Sequence, residues 1–483
     1  MSAAINDEFD YVVVGSGAAG ASAARVLVDT GRSVAIVEEG GRIETEAFSD
    51  RVLPTLRAMY RDMGFQLARG RATIPVIQGV CLGGSTVVNS AIVRRMPEEV
   101  WRSWARDHGI GAAFTWRDLE SRWAVIEQEL SSAPTPPEAW GQNNALMDRG
   151  VAALGLAGGP ISRYVRGCRA SARCQLGCPH GAKQSMMLSY LPYAERKGAT
   201  LFTNSRVDRI LFDGDRAVGI AGASFQIRAR RAVLVAASAI QTPLLLARSG
   251  IRSAHLGRHF QGHPGAAVVG IFDRPVRMWW GATQGYEIDE YRDSLRAKIE
   301  TVSVPPESFF PGLPGVGRRW VHAMAEAGHA ALFAVALRAF AEGHVRARRS
   351  GGASIAFDLE PRDIDNLRRA LRRTADLLFA AGAREVIPAI HGLPDRLGPG
   401  ETHLIEAGPR DPAAYAFILS HLFGTARMSA SSHDGVVGTD FEVHGRRALH
   451  VIDSSVFPTN LGVNPQHSIM AIAMQAAERI AAQ

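Results

Sequence analysis

The beginning of the chain has the hydrophobic pattern of a β-α-β unit. Residues 11–14, Tyr-Val-Val-Val, form a short apolar run rich in β-branched side chains, as expected for a buried strand of a parallel sheet. An alanine-rich stretch with helical spacing begins at Ala18, and its side chains are small enough to pack closely on a sheet. A second apolar run over residues 33–37 predicts the next strand.

Later runs predict two sheets of different kinds. The candidate strands are residues 199–202, 207–212, 232–237, 266–272, 331–337 and 354–359, and alternation over 217–230 after a turn at 213–215 predicts a β-meander. The wholly apolar run 232–237 predicts a return to the parallel sheet. From about residue 265 to 420, alternating or apolar runs and an amphipathic helix over 361–381 predict an antiparallel sheet covered by helices. The predicted fold class is therefore α/β, a Rossmann-like domain with a second α+β domain built on an antiparallel sheet.

Three glycines directly after the first predicted strand point to a ligand. Gly15 permits a tight turn, Gly17 lets backbone N–H groups approach a diphosphate, and Gly20 allows close packing of the helix on the strand. Glu38 follows the second predicted strand, where a carboxylate can accept hydrogen bonds from both ribose hydroxyls and would repel a 2′-phosphate. The pattern predicts a bound dinucleotide and disfavours NADP, but it does not separate FAD from NAD.

Composition and charge narrow the class of protein. The chain has 483 residues, and its 54 basic and 47 acidic side chains give a net charge of +7. Because the basic residues are spread along the sequence, we do not expect a nucleic-acid partner. No apolar run approaches the length of a transmembrane helix. Acidic residues at positions 7, 8 and 10 argue against a signal peptide, and four cysteines are too few for a secreted disulfide framework, so we expect a cytoplasmic protein.

A second glycine-containing stretch, GGSTVVNSAIVRR over residues 83–95, connects the chain to a family. Taken alone, it favours a helix start with Ser85 as the cap. In context it resembles the first signature of the glucose-methanol-choline (GMC) oxidoreductases, which depend on FAD. Residues 238–250 are similar to the second signature of that family, and residues 256–264 resemble its connection out of the nucleotide domain.

The resemblance implies a set of FAD contacts. Those residues are Gly83, Gly84, Ser85 and Asn89 beside the flavin, Val207 at the adenine, and Asp453 and Ser454 at the ribityl-diphosphate part. Some members link the flavin covalently through a histidine in or just before the first signature. Residues 72–98 contain no histidine, so we expect non-covalent FAD and interpret Cys81 as a small buried residue.

Two residues near the C-terminal end carry the expected chemistry. His421 opens the stretch HLFGTARM, and Asn464 lies in GVNPQH. The resemblance places a histidine and a second His or Asn opposite the flavin, so this chain looks like the His/Asn subtype. His421 is then the general base for an alcohol O–H, Asn464 holds the developing alkoxide, and flavin N5 takes the hydride. His467 is a rival for His421, and we expect it to lie behind the site.

Three of the four cysteines form the pattern C-x5-C-x3-C-Pro, at Cys168, Cys174 and Cys178. Two interpretations fit this clustering. Three thiolates suit an iron–sulfur cluster, and a three-iron (3Fe-4S) cluster fits three ligands better than a four-iron one. A similar cluster occurs in the glucose and fructose dehydrogenase branch of the GMC family. The alternative is a reduced or disulfide-tied loop that orders the edge of the substrate domain.

The expected function is FAD-dependent oxidation of an alcohol, a small molecule such as a sugar or polyol, with dioxygen or a redox partner accepting the electrons. Alternatives are a non-redox flavin lyase, or a dehydrogenase subunit passing electrons through an iron–sulfur cluster.

We expect an FAD-binding domain of residues 1–150, 197–262 and 421–483, a Cys-rich region over 151–196, and a substrate domain over 263–420. Six aromatic residues could line a substrate pocket for a sugar or sterol, or belong to the hydrophobic core: Trp279, Trp280, Tyr286, Phe309, Phe310 and Trp320.

Overall fold

The computed structural model describes residues 5–349 and 351–483. Its strands, in chain order, are β1 Ile5–Val14, β2 Val34–Val37, β3 Leu67–Arg69, β4 Thr73–Pro75, β5 Ser132–Pro134, β6 Gly158–Pro160, β7 Ser162–Tyr164, β8 Thr200–Phe202, β9 Arg209–Asp213, β10 Arg216–Ala221, β11 Phe225–Val235, β12 Gln261–Ile271, β13 Tyr286–Ile288, β14 Ala297–Thr301, β15 Ala330–Leu337, β16 His344–Ala347, β17 Ala353–Ala356, β18 Glu385–Ile387, β19 Ile418–Phe423 and β20 Leu449–Val451.

The α-helices, in chain order, are α1 Ala18–Val28, α2 Val52–Met59, α3 Glu98–His108, α4 Trp116–Glu129, α5 Gly141–Leu154, α6 Tyr190–Arg196, α7 Ser238–Arg248, α8 Pro306–Phe309, α9 Arg318–Ala325, α10 Pro361–Ala380, α11 His403–Ala407 and α12 Gln466–Ala481. Short 3-10 turns lie between several of them. None of the helices within the described part of the chain is both long and apolar enough to cross a membrane.

A parallel sheet with an antiparallel extension forms the first layer. Its order is β8-β2-β1-β11-β10-β9, with β20 also paired to β11. The strands β8, β2, β1, β11 and β20 run parallel, and β9 to β11 form an antiparallel meander. The predicted β-α-β unit is confirmed as β1, α1 and β2. The meander expected over 217–230 and the return to the parallel sheet at 232–237 are confirmed, but a separate strand at 232–237 was wrong, because β11 continues from the meander into the parallel sheet as one strand.

An antiparallel sheet forms the second layer, as the sequence predicted. Its order is β18-β12-β15-β14-β13-β6, with β19 paired to β12, and every pairing in it is antiparallel. The amphipathic helix α10 packs on β12 and β15 and buries one apolar face against them. A four-stranded sheet, β16-β17-β3-β4, and the β5-β7 pair complete the sheets of the described residues. The predicted α/β class with a Rossmann-like domain and an antiparallel second domain is confirmed.

Candidate active site

A cavity of about 540 Å³ lies where the two layers meet. The carboxyl ends of β1, β2, β11 and β20 contribute Val14, Glu38, Ala236 and Asp453 to its lining, which is where open parallel sheets bind ligands. We call this side the parallel-sheet wall. The opposite side, which we call the antiparallel-sheet wall, contains Glu300 on β14 and His421 on β19. The volume is within the range of about 300–1,000 Å³ found for small-molecule sites.

The glycine turn after β1 has the geometry that its sequence predicted. Gly15 has φ +98°, and a Cβ there would lie 2.4 Å from the Ala236 carbonyl oxygen. A Cβ on Gly20 would lie 1.9 Å from the Gly15 carbonyl oxygen, so this close approach of helix and turn excludes any side chain. Gly17 differs, because it lines the cavity and a Cβ there would have no neighbour within 4 Å. Gly17 therefore leaves open space beside the start of α1, which has no side-chain cap.

Glu38 joins this turn to the next loop. It is buried at the end of β2, and its carboxylate accepts hydrogen bonds from the Ser16 N–H (3.0 Å), the Ser16 hydroxyl (2.6 Å) and the Gly40 N–H (2.8 Å). Burial raises the pKa of this carboxyl. The Gly83 N–H donates to the Ser16 hydroxyl oxygen (2.9 Å), so Gly83 supports the turn from behind, and the cavity lining includes neither Gly83 nor Gly20.

The stretch after Gly83 turns along the cavity instead of starting a helix. Residues 84–86 form a single 3-10 turn, and the next α-helix begins only at Glu98, so the helix start capped by Ser85 was wrong. The Ser85 hydroxyl accepts from the Gly79 N–H (3.0 Å). Asn89 donates to the Gln466 side-chain oxygen (2.6 Å) at the start of α12. Gly84, Ser85 and Asn89 all line the cavity.

The remaining predicted cofactor residues also reach the cavity. Val207, Asp453 and Ser454 are part of its lining. Asp453 is buried, and its carboxylate accepts from the Ser238 N–H (2.9 Å), the Thr242 hydroxyl (2.5 Å) and the Ser455 N–H (2.8 Å). Burial raises the pKa of the Asp453 carboxyl. Asp453 thereby holds the N-terminal turn of α7 against the end of β20.

A β-bulge sets the direction of His421. On β12, Gln261 pairs with Phe423 and His263 with Ser420, so Gly262 alone lies opposite two residues, His421 and Leu422. His421 has φ +57°, in the left-handed region that histidine enters more readily than most residues. Bulges of this kind re-aim side chains beside active sites, and a left-handed non-glycine residue costs about 1–3 kcal/mol. The sheet thus tolerates local strain where His421 faces the cavity.

His421 lies between a second histidine and Asn464. Its Nδ1 is 3.0 Å from Nδ1 of His263, and its Nε2 is 3.3 Å from Nδ2 of Asn464. The structure therefore brings the two predicted catalytic residues together beside the cavity. Burial and the charge of Lys298 lower the pKa of His421 to about 3, so the ring is neutral at ordinary pH. His263 is buried, and burial lowers its pKa well below the usual value.

The rival histidine lies behind the site, as expected. His467 is fully buried and is not part of the cavity lining. Its Nδ1 is bonded to the Tyr164 hydroxyl and its Nε2 lies 2.9 Å from the Glu127 carboxylate. Glu127 also pairs with Arg95. Burial raises the pKa of the Glu127 carboxyl, but His467 and Arg95 outweigh burial and lower this pKa to about 2. Both ring nitrogens of His467 are therefore occupied by protein partners.

A buried group of charges beside Asn464 was missed from the sequence. Lys298 is 3% exposed, and its Nζ donates to Asn464 Oδ1 (2.6 Å) while pairing with Glu300 (2.6 Å) and Glu287 (3.1 Å). Glu287 also contacts Arg94, which pairs with Asp289 at 2.7 Å. The run Ala-Lys-Ile-Glu-Thr alternates like a strand with one exposed face, so no signal in the sequence indicated that Lys298 and Glu300 are buried.

The cysteine-rich loop is a structural element in this arrangement. All four cysteines are free, and among the described residues no three His, Cys, Asp or Glu side chains are placed to hold a metal ion. The iron–sulfur prediction for Cys168, Cys174 and Cys178 thus gains no support from the geometry. Instead, the buried Lys183 ammonium donates to the carbonyl oxygens of Val87 (2.5 Å), Asn89 (2.7 Å) and Cys174 (2.6 Å). Lys183 ties the cysteine-rich loop to the loop that lines the cavity.

The six aromatic residues considered for a substrate pocket do not line this cavity. Phe309 is buried in a small apolar cluster, against which Trp279, Phe310 and Trp320 pack. Tyr286 belongs to the core of the antiparallel layer, and Trp280 is 60% exposed. The core interpretation therefore describes them better than the pocket interpretation.

Comparison with known proteins identifies the family. Two models described as GMC oxidoreductase match residues 9–265 and 340–473. An uncharacterized GMC-type oxidoreductase of Mycobacterium tuberculosis (strain H37Rv) is 36% identical over 98% of this chain and 76% of its own length. Long-chain-alcohol oxidase FAO1 of Arabidopsis thaliana is 26% identical over 98% of this chain and 67% of its own.

A solved structure agrees with this assignment at the level of fold. A variant of formate oxidase from Aspergillus oryzae RIB40, solved to show the effect of a mutation on FAD modification, superposes with a TM-score of 0.76 over 99% of both chains at 19% identity. The two family models together cover most of the chain, and the relative at 36% identity spans nearly all of it. The chain is therefore a member of the GMC oxidoreductase family.

Proposed function

We propose that this protein is an FAD-dependent oxidoreductase that oxidises an alcohol at its CH–OH carbon. The observation that carries the proposal is the pairing of His421 Nε2 with Asn464 Nδ2 at 3.3 Å, beside a cavity whose opposite wall is the glycine turn. An imidazole and a carboxamide at this spacing can hold one hydroxyl oxygen between them. Long-chain-alcohol oxidases among the relatives support the same substrate class.

The parallel-sheet wall fits FAD. Gly17 leaves room beside the uncapped first turn of α1, where free N–H groups and the helix dipole favour a diphosphate. We propose Glu38 for the ribose, Val207 for the adenine, and Asp453 with Ser454 for the ribityl-diphosphate part. Residues 84–89 would lie along the flavin. Burial raises the pKa of the Cys81 thiol to about 12, which suits an inert thiol and non-covalent FAD. When bound, FAD supplies the hydride acceptor.

His421 and Asn464 would divide the work on the alcohol. A hydroxyl is too weak an acid to ionise unaided, and a general base typically contributes about 10² to 10⁴ in rate. His421 is neutral because of its lowered pKa, so one of its two ring nitrogens has a lone pair, and it can take the hydroxyl proton when that nitrogen is Nε2. The Asn464 NH₂ would donate to the oxygen as negative charge develops there.

The partners of His263 add a condition to this proposal. The Gly462 N–H donates to Nε2 of His263 (3.0 Å), which places the His263 proton on Nδ1, between the two rings. His421 Nδ1 then accepts that hydrogen bond, and neutral His421 carries its own proton on Nε2, where it faces the Asn464 NH₂ at 3.3 Å as one donor facing another. For Nε2 to accept the alcohol proton, both rings must exchange tautomers. We therefore expect His263 and Gly462 to separate when substrate binds.

Anaerobic mixing with a panel of alcohols tests the proposal. We expect a productive alcohol to bleach the flavin of the wild-type protein, and His421→Ala to keep its flavin colour while bleaching slows at least 100-fold. His180→Ala, at an exposed histidine away from the cavity, is the matched control and should bleach normally. Normal bleaching by His421→Ala would contradict the assigned base. Conversion of substrate while the flavin stays oxidised would indicate a lyase.

The electron acceptor is a separate part of the proposal. Either dioxygen or a protein redox partner could reoxidise the flavin. Rapid peroxide formation after bleaching would identify an oxidase, whereas slow reoxidation in air with fast turnover on an artificial acceptor would identify a dehydrogenase.

A further inference from the structure

We propose that Lys298 is a positioning residue that fixes the orientation of the Asn464 carboxamide. The proposal rests on the function proposed above, and it concerns a residue in a part of the chain that has no recognisable motif. Lys298 lies on β14 of the antiparallel sheet. One strand, β15, separates β14 from β12, and β15 and β12 together separate it from β19.

The chemistry of the contact settles which end of the amide faces the cavity. The oxygen and nitrogen of an asparagine side chain are assigned from their partners, because they have nearly the same shape. An ammonium has only donors, so the Asn464 atom 2.6 Å from Lys298 Nζ must be the oxygen. The Asn464 NH₂ is then the group that points at His421 Nε2, 3.3 Å away, where a substrate oxygen can accept from it.

The surroundings hold Lys298 in this role. Its Nζ donates a hydrogen bond to Asn464 Oδ1 and lies within ion-pair distance of the carboxylates of Glu300 and Glu287. Burial lowers the pKa of the Lys298 ammonium, but Glu300 and Glu287 outweigh burial and raise it, so the group stays charged. Arg94 compensates the second carboxylate. Glu287 and Glu300 are cross-strand partners on β13 and β14, so the sheet register itself brings the two carboxylates to Lys298.

Without this contact, the amide would lose its preferred orientation. A rotation of 180° about the last side-chain bond would direct Oδ1 toward the substrate oxygen, where an acceptor would repel the developing negative charge. A lysine that donates to Oδ1 makes that rotation costly, because it would place NH₂ against an ammonium. Lys298 thus acts on the reaction through Asn464 and need not touch the substrate.

A double-mutant cycle separates this role from a general structural one. We expect Asn464→Ala to lower the rate of flavin reduction about 100-fold, as for loss of one oxyanion donor. Lys298→Met should lower it about 10-fold with little change in the substrate Kd obtained from the same titration. In the Asn464→Ala background, Lys298→Met should have no further effect. Independent losses that multiply, to about 1,000-fold, would overturn the proposal.

A charge-balanced series guards against misfolding. Lys298→Met leaves the buried Glu300 carboxylate without its cation. The same cycle is therefore run in a Glu300→Gln background, where Lys298→Met removes the positive charge and Glu300→Gln removes the negative charge. Coupling between positions 298 and 464 should persist there, and its absence in this background would also overturn the proposal.

A binding readout keeps the test independent of turnover. Acetate offers an anionic oxygen to the same donors, and its affinity is measured from the shift of the flavin absorption. We expect Lys298→Met and Asn464→Ala to weaken acetate binding non-additively. If no alcohol bleaches the wild-type flavin but this coupling is present, the proposed function fails while the role of Lys298 stands. If neither alcohols nor acetate affect the wild-type flavin, both proposals fail.

Discussion

The two walls of the cavity are built in different ways. On the parallel-sheet wall, the turn at Gly15 and Gly17 is shaped mainly by backbone that follows a strand directly in sequence. On the antiparallel-sheet wall, His421 and Glu300 come from strands far apart in the chain, and Asn464 enters from the loop before α12. The glycine turn of the first wall is specified by a short local sequence, whereas the second wall depends on the register of a whole sheet and on buried charges.

The largest expected effects are at two glycines of the turn on the parallel-sheet side. Gly20→Ala should prevent the nucleotide domain from folding normally, because its Cβ would overlap the Gly15 carbonyl. Gly17→Ala should leave thermal stability of the flavin-free protein nearly unchanged but weaken FAD binding at least 10-fold, because its Cβ projects into open cavity. Flavin content and thermal unfolding of the two variants check this. An equal loss of thermal stability in Gly17→Ala and Gly20→Ala would mean that a side chain at Gly17 also clashes with the protein.

On the antiparallel-sheet wall, Asn464→Asp should strongly slow flavin reduction but leave folding nearly unchanged. The new carboxylate would pair with Lys298, and the NH₂ donor would be lost. We expect flavin reduction to slow by about 10² to 10³, the usual effect of removing one such donor. Anaerobic stopped-flow measurements give the rate, and retention of flavin reports folding. A rate within threefold of wild type would show that Asn464 does not donate to the substrate.

The pH dependence should show no titration near the ordinary histidine value. The base-competent form of His421 is the neutral ring, which exists above its pKa, and burial with Lys298 lowers that pKa to about 3. Flavin reduction should therefore be constant from about pH 5 to pH 8 and fall only as the pH drops towards 3. Circular dichroism at each pH controls for acid unfolding. A fall in rate centred near pH 6.5 would mean that the ring is more exposed than this structure indicates.

The smallest effect is expected in the cysteine-rich loop. Cys168 is free and partly exposed, so Cys168→Ser should change stability by no more than about 0.5 kcal/mol and leave flavin reduction unchanged. Iron analysis of the purified wild-type protein is the companion measurement. Stoichiometric iron that is lost in this variant would restore the cluster interpretation.

The sequence predicted those parts of the molecule whose causes are local. The strand-glycine-helix order around Gly15 and the amphipathic helix α10 follow from short-range pattern, and both are confirmed. The proximity of His421 and Asn464 came from family resemblance, since no local rule joins positions in separate elements. It holds in the structure because β19 and the loop before α12 meet at the same cavity.

Other features depend on tertiary partners and could not be read from the chain. The strand β11 has an alternating first part and an apolar second part, because its neighbour on one edge changes from β10 to β20. Lys298 is buried only because Glu287, Glu300 and Asn464 converge on it. The segment around Ser85 forms a single 3-10 turn and not a helix, and its Ser85 and Asn89 side chains bond to the distant residues Gly79 and Gln466.

The bulge at His421 sets regular strand pairing against the role proposed for its imidazole. Deleting Leu422 would let Gly262 face a single residue and restore an unbroken ladder between β12 and β19. Because side chains alternate along a strand, the same repair would relieve the left-handed residue and turn the imidazole away from the cavity. A shortened protein of this kind would have the more regular sheet but, under the proposed function, the lower activity. Selection for stability alone would therefore tend to remove the bulge.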